Sequence, residues 1–486
     1  MDTKQLRQKI LDLAIRGKLV PQDPNDEPVS VLLERVKAEK ERLIAEGKIK
    51  RSKKSATSSD KPHYADWNLP SGWVWVKLED IAIDMADGPF GSNLKSSHYT
   101  TDREVRIIQL SNIGEYGWRD DNVRYTTFEH AKDIQRSIVD SGDIVIAKMM
   151  PAGRAIICPN KDKAYVLSSD AVKLKPSSLL NISYLLYAIN SPLFQNQVNE
   201  NVQGVTRLRT SIAKLKSYAF PLPPLNEQTR IVNSLVHYLS IIDNIQDSIE
   251  SINGGIVQVK SKILGLAISG KLVAQDPSDE PAADLLQRVN PNAIVSTDKS
   301  HYNGQNLPNG WIQCKFSDLF NVRSARRVHK ADWRSEGIPF YRAREIGKLS
   351  DLGTVDNDLY IDNLLYSEFA KSGVPQSGDI MITAVGTLGK TYIVRKGDKF
   401  YYKDGSVLCI ENRNGIDPRY IEMFISSSHF KEQYIWESQG TTVATLTMDR
   451  INSYSFVLPP LNEQKRIVSK VDELFAVIDQ IKQSLE

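Results

Sequence analysis

The sequence predicts an α+β fold: two similar α/β-mixed domains joined by long antiparallel coiled-coil helices, arranged as a circularly permuted two-fold internal repeat. Three observations carry this reading. One family of matches recurs at offsets of 236–238 residues, a second recurs at 253, and an apolar seam runs unbroken for five heptads.

The first family relates the domains. LPPLNEQ stands at 222–228 and again at 458–464, each time followed by an arginine and an Ile-Val pair (Arg230, Ile231, Val232; Arg466, Ile467, Val468). SGDIVI (141–146) matches SGDIMI (377–382), and Tyr184, Phe194 and Gln197 match Tyr420, Phe430 and Gln433. HY followed by NLPSGW (63–73) matches HY followed by NLPNGW (301–311). The second family is LDLAIRGKLVPQDPNDEP (11–28) against LGLAISGKLVAQDPSDEP (264–281), its larger offset reflecting about 15 extra, mostly charged residues in the first copy. Aligned by repeat, Glu486 falls opposite Glu250 and Met1 opposite Gly254. Both termini therefore belong inside one helix of the repeat, and the chain reads as a ring of two repeats opened within its second long helix.

That helix is legible as a seam. From Ile231 the apolar positions run Leu235, Tyr238, Ile242, Ile245, Ile249, Ile252, Ile256, Val259, Ile263 and Leu266, alternating steps of four and three. This is the coiled-coil period, and the helix it predicts is roughly 50 Å long. Gly254 and Gly255 fall in its middle, at about 1 kcal/mol each relative to alanine. The second copy repeats the seam at Ile467, Val471, Leu474, Ile478, Ile481 and Leu485, and the N-terminus continues it through Leu6, Ile10 and Leu13. Two such helices pack most simply antiparallel. Ordinary core helices in separate domains are the alternative, but they need fewer unbroken heptads.

The expected boundaries are an N-terminal helical region with a basic linker (1–65), a first mixed domain (66–225), a central long helix and linker (226–303), a second mixed domain (304–461) and a C-terminal helix (462–486) that pairs with the N-terminus. Within each domain, strand-like runs (DIVIAK, 143–148; DIMITAV, 379–385; AYVLSSDAVKL, 164–174; SVLCIE, 406–411) alternate with turns. A helix-like stretch follows in each, ISYLLYAINSPLFQNQV and PRYIEMFISSSHFKEQYI.

Composition places the chain among globular proteins, with 41% hydrophobic and 25% charged residues and a net charge of +3. No apolar run has membrane-spanning length and the start lacks a signal-peptide core, so a cytoplasmic location without membrane contact is expected. Cys158, Cys314 and Cys409 form no CxxC pair, and the seven histidines form no metal-binding spacing. No NPPY or DPPY element, GxGxG or GxSxG is present. GTLGKT (386–391) resembles the end of a phosphate loop, but the leading glycine of that pattern is replaced by Ala384 and the other copy reads MMPAGRA, so a turn is expected. The recurring His63 and His301 suit a structural role at the domain entrance. Catalysis by this chain is not expected.

Positive charge gathers inside the mixed domains instead. The second has Arg323, Arg326, Arg327, Lys330 and Arg334, then Arg342 and Arg344; the first has Lys95 in a glycine-turned loop, then Arg103, Arg106, Arg119 and Arg124. Each domain also carries a late loop, QGVTRLRTS (203–211) with Arg207 and Arg209, and QGTTVATLT (439–447). A lone arginine is most simply a solvated charge, whereas the clusters point to double-stranded DNA. Arginine suits guanine, Asn or Gln suits adenine, and lysine suits phosphate. Asn93, Gln109, Asn112, Gln203, Ser324 and Gln439 join the candidate base readers. The basic run KIKRSKK (48–54) is read equally well as a tether or as a phosphate contact.

Together LPPLNEQ (twice), KILDLAIRGKLVPQ (9–22) with its echo KILGLAISGKLVAQ (262–275), LPxGW at each domain start and SGDI before a glycine turn resemble the specificity subunits of type I restriction-modification systems, the HsdS family. The resemblance covers essentially the whole chain. It implies two target recognition domains on a paired-helix spacer, each reading one half of a bipartite, asymmetric DNA site. It further implies that the spacer fixes the half-site distance and docks two methyltransferase subunits, joined by restriction/translocase subunits. The resemblance implies no cofactor in this chain: S-adenosylmethionine, ATP and Mg serve the partners. A two-domain protein-interaction scaffold that does not bind DNA is the competing expectation.

Overall fold

The computed structural model describes residues 2–49, 51, 67–201, 209–293, 301–302, 305–437 and 445–485, in two compact units, Met1–Ser248 and Ile249–Glu486. In the first unit, helix α1 (Thr3–Ile15) precedes strands β1 (Val74–Lys77), β2 (Ala82–Asp87), β3 (Ile144–Ala147), β4 (Ala155–Ile157) and β5 (Ala171–Pro176). Helices α2 (Ile182–Ile189) and α3 (Pro192–Asn201), strand β6 (Ala219–Leu222) and the long helix α4 (Leu225–Ile268) follow, α4 running on into the second unit. That unit repeats the set with β7 (Ile312–Lys315), β8 (Asn321–Ser324), β9 (Ile380–Thr383), β10 (Thr391–Ile393), β11 (Val407–Glu411), α5 (Pro418–Ser426), α6 (Ser428–Glu437), β12 (Ser455–Leu458) and α7 (Leu461–Leu485). Among the described residues, no helix is long and apolar enough to cross a membrane.

The sheets superimpose in topology. Each unit has an antiparallel four-stranded sheet, ordered β4-β3-β5-β2 and β10-β9-β11-β8, and an antiparallel pair, β1 with β6 and β7 with β12. A second small sheet takes most of its strands from the chain between the first two strands of each larger one, and one strand (Tyr165–Leu167; Tyr401–Tyr402) from between the last two. Its parallel pair recurs, with Arg106 against Tyr165 and Phe340 against Tyr401. The inserts then differ: five strands in the first unit, three strands and the helix Ala343–Leu352 in the second. Fully buried strands such as Ile144–Ala147 and Ile380–Thr383 explain why their sequences are continuous apolar runs rather than alternating ones.

The stretch expected as one helix in each domain is two. Ser191 Oγ donates to Ala188 O at 2.6 Å and accepts from Phe194 N, and Ser427 Oγ does the same with Phe424 O and Phe430 N. One hydroxyl thus closes the first helix and starts the next, while the apolar period continues because both helices cover the same core.

Each recurring motif is a set of partners for buried polar groups, which must be paired. In LPPLNEQ, Glu227 accepts the Trp73 indole N–H at 2.9 Å and the Gln22 amide at 3.0 Å; Glu463 accepts Trp311 at 2.8 Å and Gln275 at 3.0 Å. Gln228 and Gln464 donate to the carbonyls of Pro223 and Pro459 and accept the backbone N–H of Asn181 and Asp417. The following Arg230 and Arg466 pair with Asp26 and Asp279, both at 2.6 Å. In the GKLV motif, Gly17 (φ +66) and Gly270 (φ +67) let the chain turn left-handed against LPxGW, where a Cβ would lie 2.4 and 2.3 Å from Pro70 and Pro308.

The permuted pairing is visible within each unit. Arg7 pairs with Asp243 and Gln22 with Glu227 in the first; Lys260 pairs with Asp479 at 2.6 Å and Gln275 with Glu463 in the second. As one number rises the other falls, so α1 runs antiparallel to the start of α4, and α7 antiparallel to its end. Helix α4 passes through Gly254 and Gly255 without interruption. The seam itself needs correction. Ile242 is buried, and Leu6, Ile10, Ile245, Ile249, Ile256, Ile478 and Leu485 are half-buried. Ile252, Val259 and Ile481 are 42, 49 and 49% exposed. Half-buried Gln246, Asn253 and Lys260 take the inward positions beside the isoleucines. Thr3 donates to Gln246 and Lys260 reaches Asp479, so partners across the helix pair draw polar groups inward. Apolar periodicity cannot separate two stripes one residue apart.

Candidate nucleic-acid interface

One end of each four-stranded sheet collects the divergent loops. In the first unit this end holds the loop after Asp87, the turn after Ala147, the turn before Ala171 and Arg209–Thr210. Backbone bonds knit it together: Lys148 N to Asp170 O at 2.8 Å, Thr210 N to Lys148 O at 2.9 Å and Gly88 N to Ala171 O at 3.0 Å. The second unit repeats the frame, with Ala384 N to Ser406 O at 2.9 Å and Leu446 N to Ala384 O at 3.0 Å.

On that shared backbone the side chains differ. In the first unit Lys148 pairs with Asp87 at 2.8 Å and Arg209 with Asp170 at 3.2 Å. A cavity of about 260 Å³ lies among them and meets a second of about 310 Å³, lined by Tyr99, Gln109 and Ser111, at Ser169 and Asp170. In the second unit Ala384, Thr445 and Ser406 stand where the first has Lys148, Arg209 and Asp170, and charge sits instead on the loop after Ser324. There the Arg326 guanidinium lies 4.5 Å from the centre of the Phe369 ring and 3.2 Å from Glu368. Arg327 and Lys330 are exposed with no ion pair or hydrogen bond of their side chains among the described residues.

The first unit's loop is pinned rather than loose. Gly88 passes so near Ser168 that a Cβ would lie 1.7 Å from its carbonyl oxygen. Asn93 N bonds Phe90 O at 2.7 Å, and His130 Nε2 donates to Asn93 O at 2.9 Å. His98 lies against His130 with ring centres 4.1 Å apart and accepts the Lys95 N–H at 3.1 Å. The Asn93 and Lys95 side chains remain open to solvent.

Several of the expected base or phosphate readers are buried or engaged by other residues of the chain. Arg106 is 1% exposed, between the rings of Trp118 and Tyr125 on a strand buried on both faces, with Nε and Nη2 unpartnered. Asn112 is fully buried; it accepts from Gln109 N at 2.8 Å and donates to the carbonyls of Arg119 and Asp121, bracing a hairpin. Arg323 is held by Glu411 at 2.8 Å and by the carbonyls of Ser372 and Gly373. Arg342 and Arg344 are neutralised by Glu345 and Asp358, at 2.7–2.9 Å. Burial alone would raise the Glu345 carboxyl, but hydrogen bonds from both arginines hold it down, at about 2. GTLGKT is the β9–β10 turn, and Lys390 pairs with Asp351. Arg207, Gln203, Gln439, His63 and most of KIKRSKK lie outside the described residues. Phe90 joins Asn93 and Lys95 at the loop tip, and the flanking glycines of DGPFGS are its mark in the sequence.

Comparison with known proteins adds a name to the geometry. The family model described as the type I restriction modification DNA specificity domain matches residues 70–253 and 308–486. The chain is similar to the specificity subunits of two type I restriction enzymes of Escherichia coli. Identity is 28% to that of EcoAI, over 99% of this chain and 90% of the other. It is 26% to that of EcoEI, over 99% and 91%. A chain solved in work on complex assembly and conformational transition of the type I R-M system aligns at TM-score 0.55 and 16% identity, covering 86% of this chain and 94% of its own, a likeness that bears on the fold.

Proposed function

This chain belongs to the family of type I restriction-modification DNA specificity subunits, and from that premise we propose how its parts divide the work. Each unit reads one half of a bipartite, asymmetric duplex site through its sheet-end face, and the helices α1, α4 and α7 set the distance between half-sites. The observation that carries this is the contrast within one fold: backbone bonds kept in both copies, and side chains changed where the loops gather. A scaffold duplicated for stability alone has no need of two different faces.

The same helices dock the methyltransferase subunits in this reading. Tyr238, Ile241, Ile252, Val257, Val259, Val477 and Ile481 are exposed apolar side chains of these helices, and apolar side chains left open on a helix favour a protein partner. Methyl transfer with S-adenosylmethionine, and translocation with ATP and Mg, belong to those partners and to the restriction subunits; this chain contributes recognition in the cytoplasm.

Co-expression with the cognate methyltransferase followed by mapping of methylated adenines tests the reading. The expected result is one asymmetric motif with a fixed unread gap, bound more weakly as salt rises. Assembly without any sequence-dependent binding would leave the protein-interaction scaffold standing instead.

A further inference from the structure

Phe90 is 84% exposed, and no other aromatic ring among the described residues is as open. An exposed ring on a loose loop would mean little, but this one sits on a loop fixed at both ends. The Gly88 approach to Ser168 holds its start, and the Asn93–His130–His98 contacts hold its far side. A ring held out by an ordered loop is preorganised for a ligand, which then binds without the cost of ordering that loop. Its neighbours indicate which ligand. Asn93, three residues on, offers an amide, and Lys95 an exposed ammonium with no ion pair among the described residues; the loop springs from Asp87, which pairs with Lys148 on the face described above. An aromatic tip followed on the same loop by an exposed amide and an exposed cation suits stacked bases beside phosphates better than an apolar protein groove.

Resting on the DNA-recognition reading, we propose that Phe90 is a base-stacking wedge that enters the first unit's half-site and reads it through the ease with which one base step unstacks. Such readout adds discrimination without a hydrogen bond to a base edge, because flexible steps open more easily than stiff ones. The second unit has no matching ring: the loop after Ser324 places Ala325, Arg326 and Arg327 there. Only one half-site is therefore wedged.

The test uses the chain assembled with its methyltransferase subunits and duplexes of the mapped motif. Fluorescent base analogues (2-aminopurine for adenine, pyrrolo-cytosine for cytosine) replace each position in turn. The methylated adenines are excluded, since their extrusion by the methyltransferase gives the same signal. The wild type is expected to brighten one step of one half-site several-fold. Phe90→Ala loses that signal and weakens binding by roughly tenfold, with an unchanged salt slope, and Phe90→Trp restores the signal. Sequence-dependent binding by the wild type without a bright step overturns the wedge and leaves DNA recognition intact. A Phe90→Ala chain that fails to assemble with the methyltransferase assigns the ring to a protein contact and also overturns the wedge. If the wild-type complex binds no sequence preferentially, the DNA-recognition reading fails first.

Discussion

Trp73 and Trp311 donate to Glu227 and Glu463 at 2.9 and 2.8 Å, yet where the first unit has Lys148, paired with Asp87, the second has Ala384. Within the shared frame the two halves agree where a side chain closes a buried polar group, and at the sheet end they part where side chains meet solvent. The reason is energetic: leaving a buried donor unpaired costs about 1–3 kcal/mol, while exchanging an exposed side chain costs little. Duplication therefore preserves the frame contact by contact and leaves the sheet end free to diverge.

The most drastic way to break the comparison is to exchange one face entirely. Replacing residues 304–461 by the same span of a relative is expected to change one half of the methylated motif and leave the other half and the gap unaltered. Discrimination at the exchanged half should move by about a thousandfold or more, as each mismatched base pair carries ~1–3 kcal/mol. Methylome sequencing reads this directly. A change in both halves would mean that the units do not read independently.

Next come the shared anchors. Trp73 and Trp311 are 5 and 6% exposed, so Trp73→Ala and Trp311→Ala should each destabilise by about 3–5 kcal/mol, and by similar amounts. Hydrogen exchange resolved by mass spectrometry should show lost protection at Ile144–Ala147 for the first and Ile380–Thr383 for the second. Unequal losses would show that the two frames, alike in contacts, differ in load.

Only the second unit has the arginine–carboxylate lattice around Glu345. Its carboxyl, held at about 2, stabilises the fold fully above the ordinary glutamate range near 4.5, and that contribution disappears as pH falls through about 2. Glu345→Gln should cost roughly 2–3 kcal/mol at neutral pH, with the gap to wild type closing between about pH 4.5 and 2 in thermal unfolding. A gap independent of pH would mean that packing, not charge, holds the helix Ala343–Leu352.

How much of this was legible beforehand divides along the same line. The permuted repeat, the long helix and the core strands follow from spacing, because matched offsets and apolar periods are properties of the chain itself. The charged residues do not, because spacing states a charge and not its partner. Arg342 and Arg344 looked like a basic cluster until Glu345 and Asp358 closed over them, although RARE at 342–345 already carried half of that answer. Arg106 carried a signal too, set in VRII where three apolar neighbours mark a strand covered on both faces. Nothing in the sequence shows that Asn112 would turn inward to brace a hairpin.

The smallest expected effect separates free charge from paired charge. Each phosphate neutralised by a lysine or arginine contributes about −0.9 to the slope of log affinity against log salt. Arg327 and Lys330 are exposed cations of the loop after Ser324 with no ion pair among the described residues, so Arg327→Ala with Lys330→Ala should flatten the slope by about 1.8. Over a fourfold rise in salt that is a difference of roughly twelvefold in how much affinity is lost. Lys95→Ala in the first unit should flatten it by about half as much. Arg344→Ala should leave it unchanged, because Glu345 and Asp358 already neutralise that guanidinium in the free protein. Filter binding at four salt concentrations distinguishes the three. If Arg344→Ala flattens the slope as much as the double variant, the ion-pair lattice opens on DNA, and the division between structural and recognition arginines has to be redrawn.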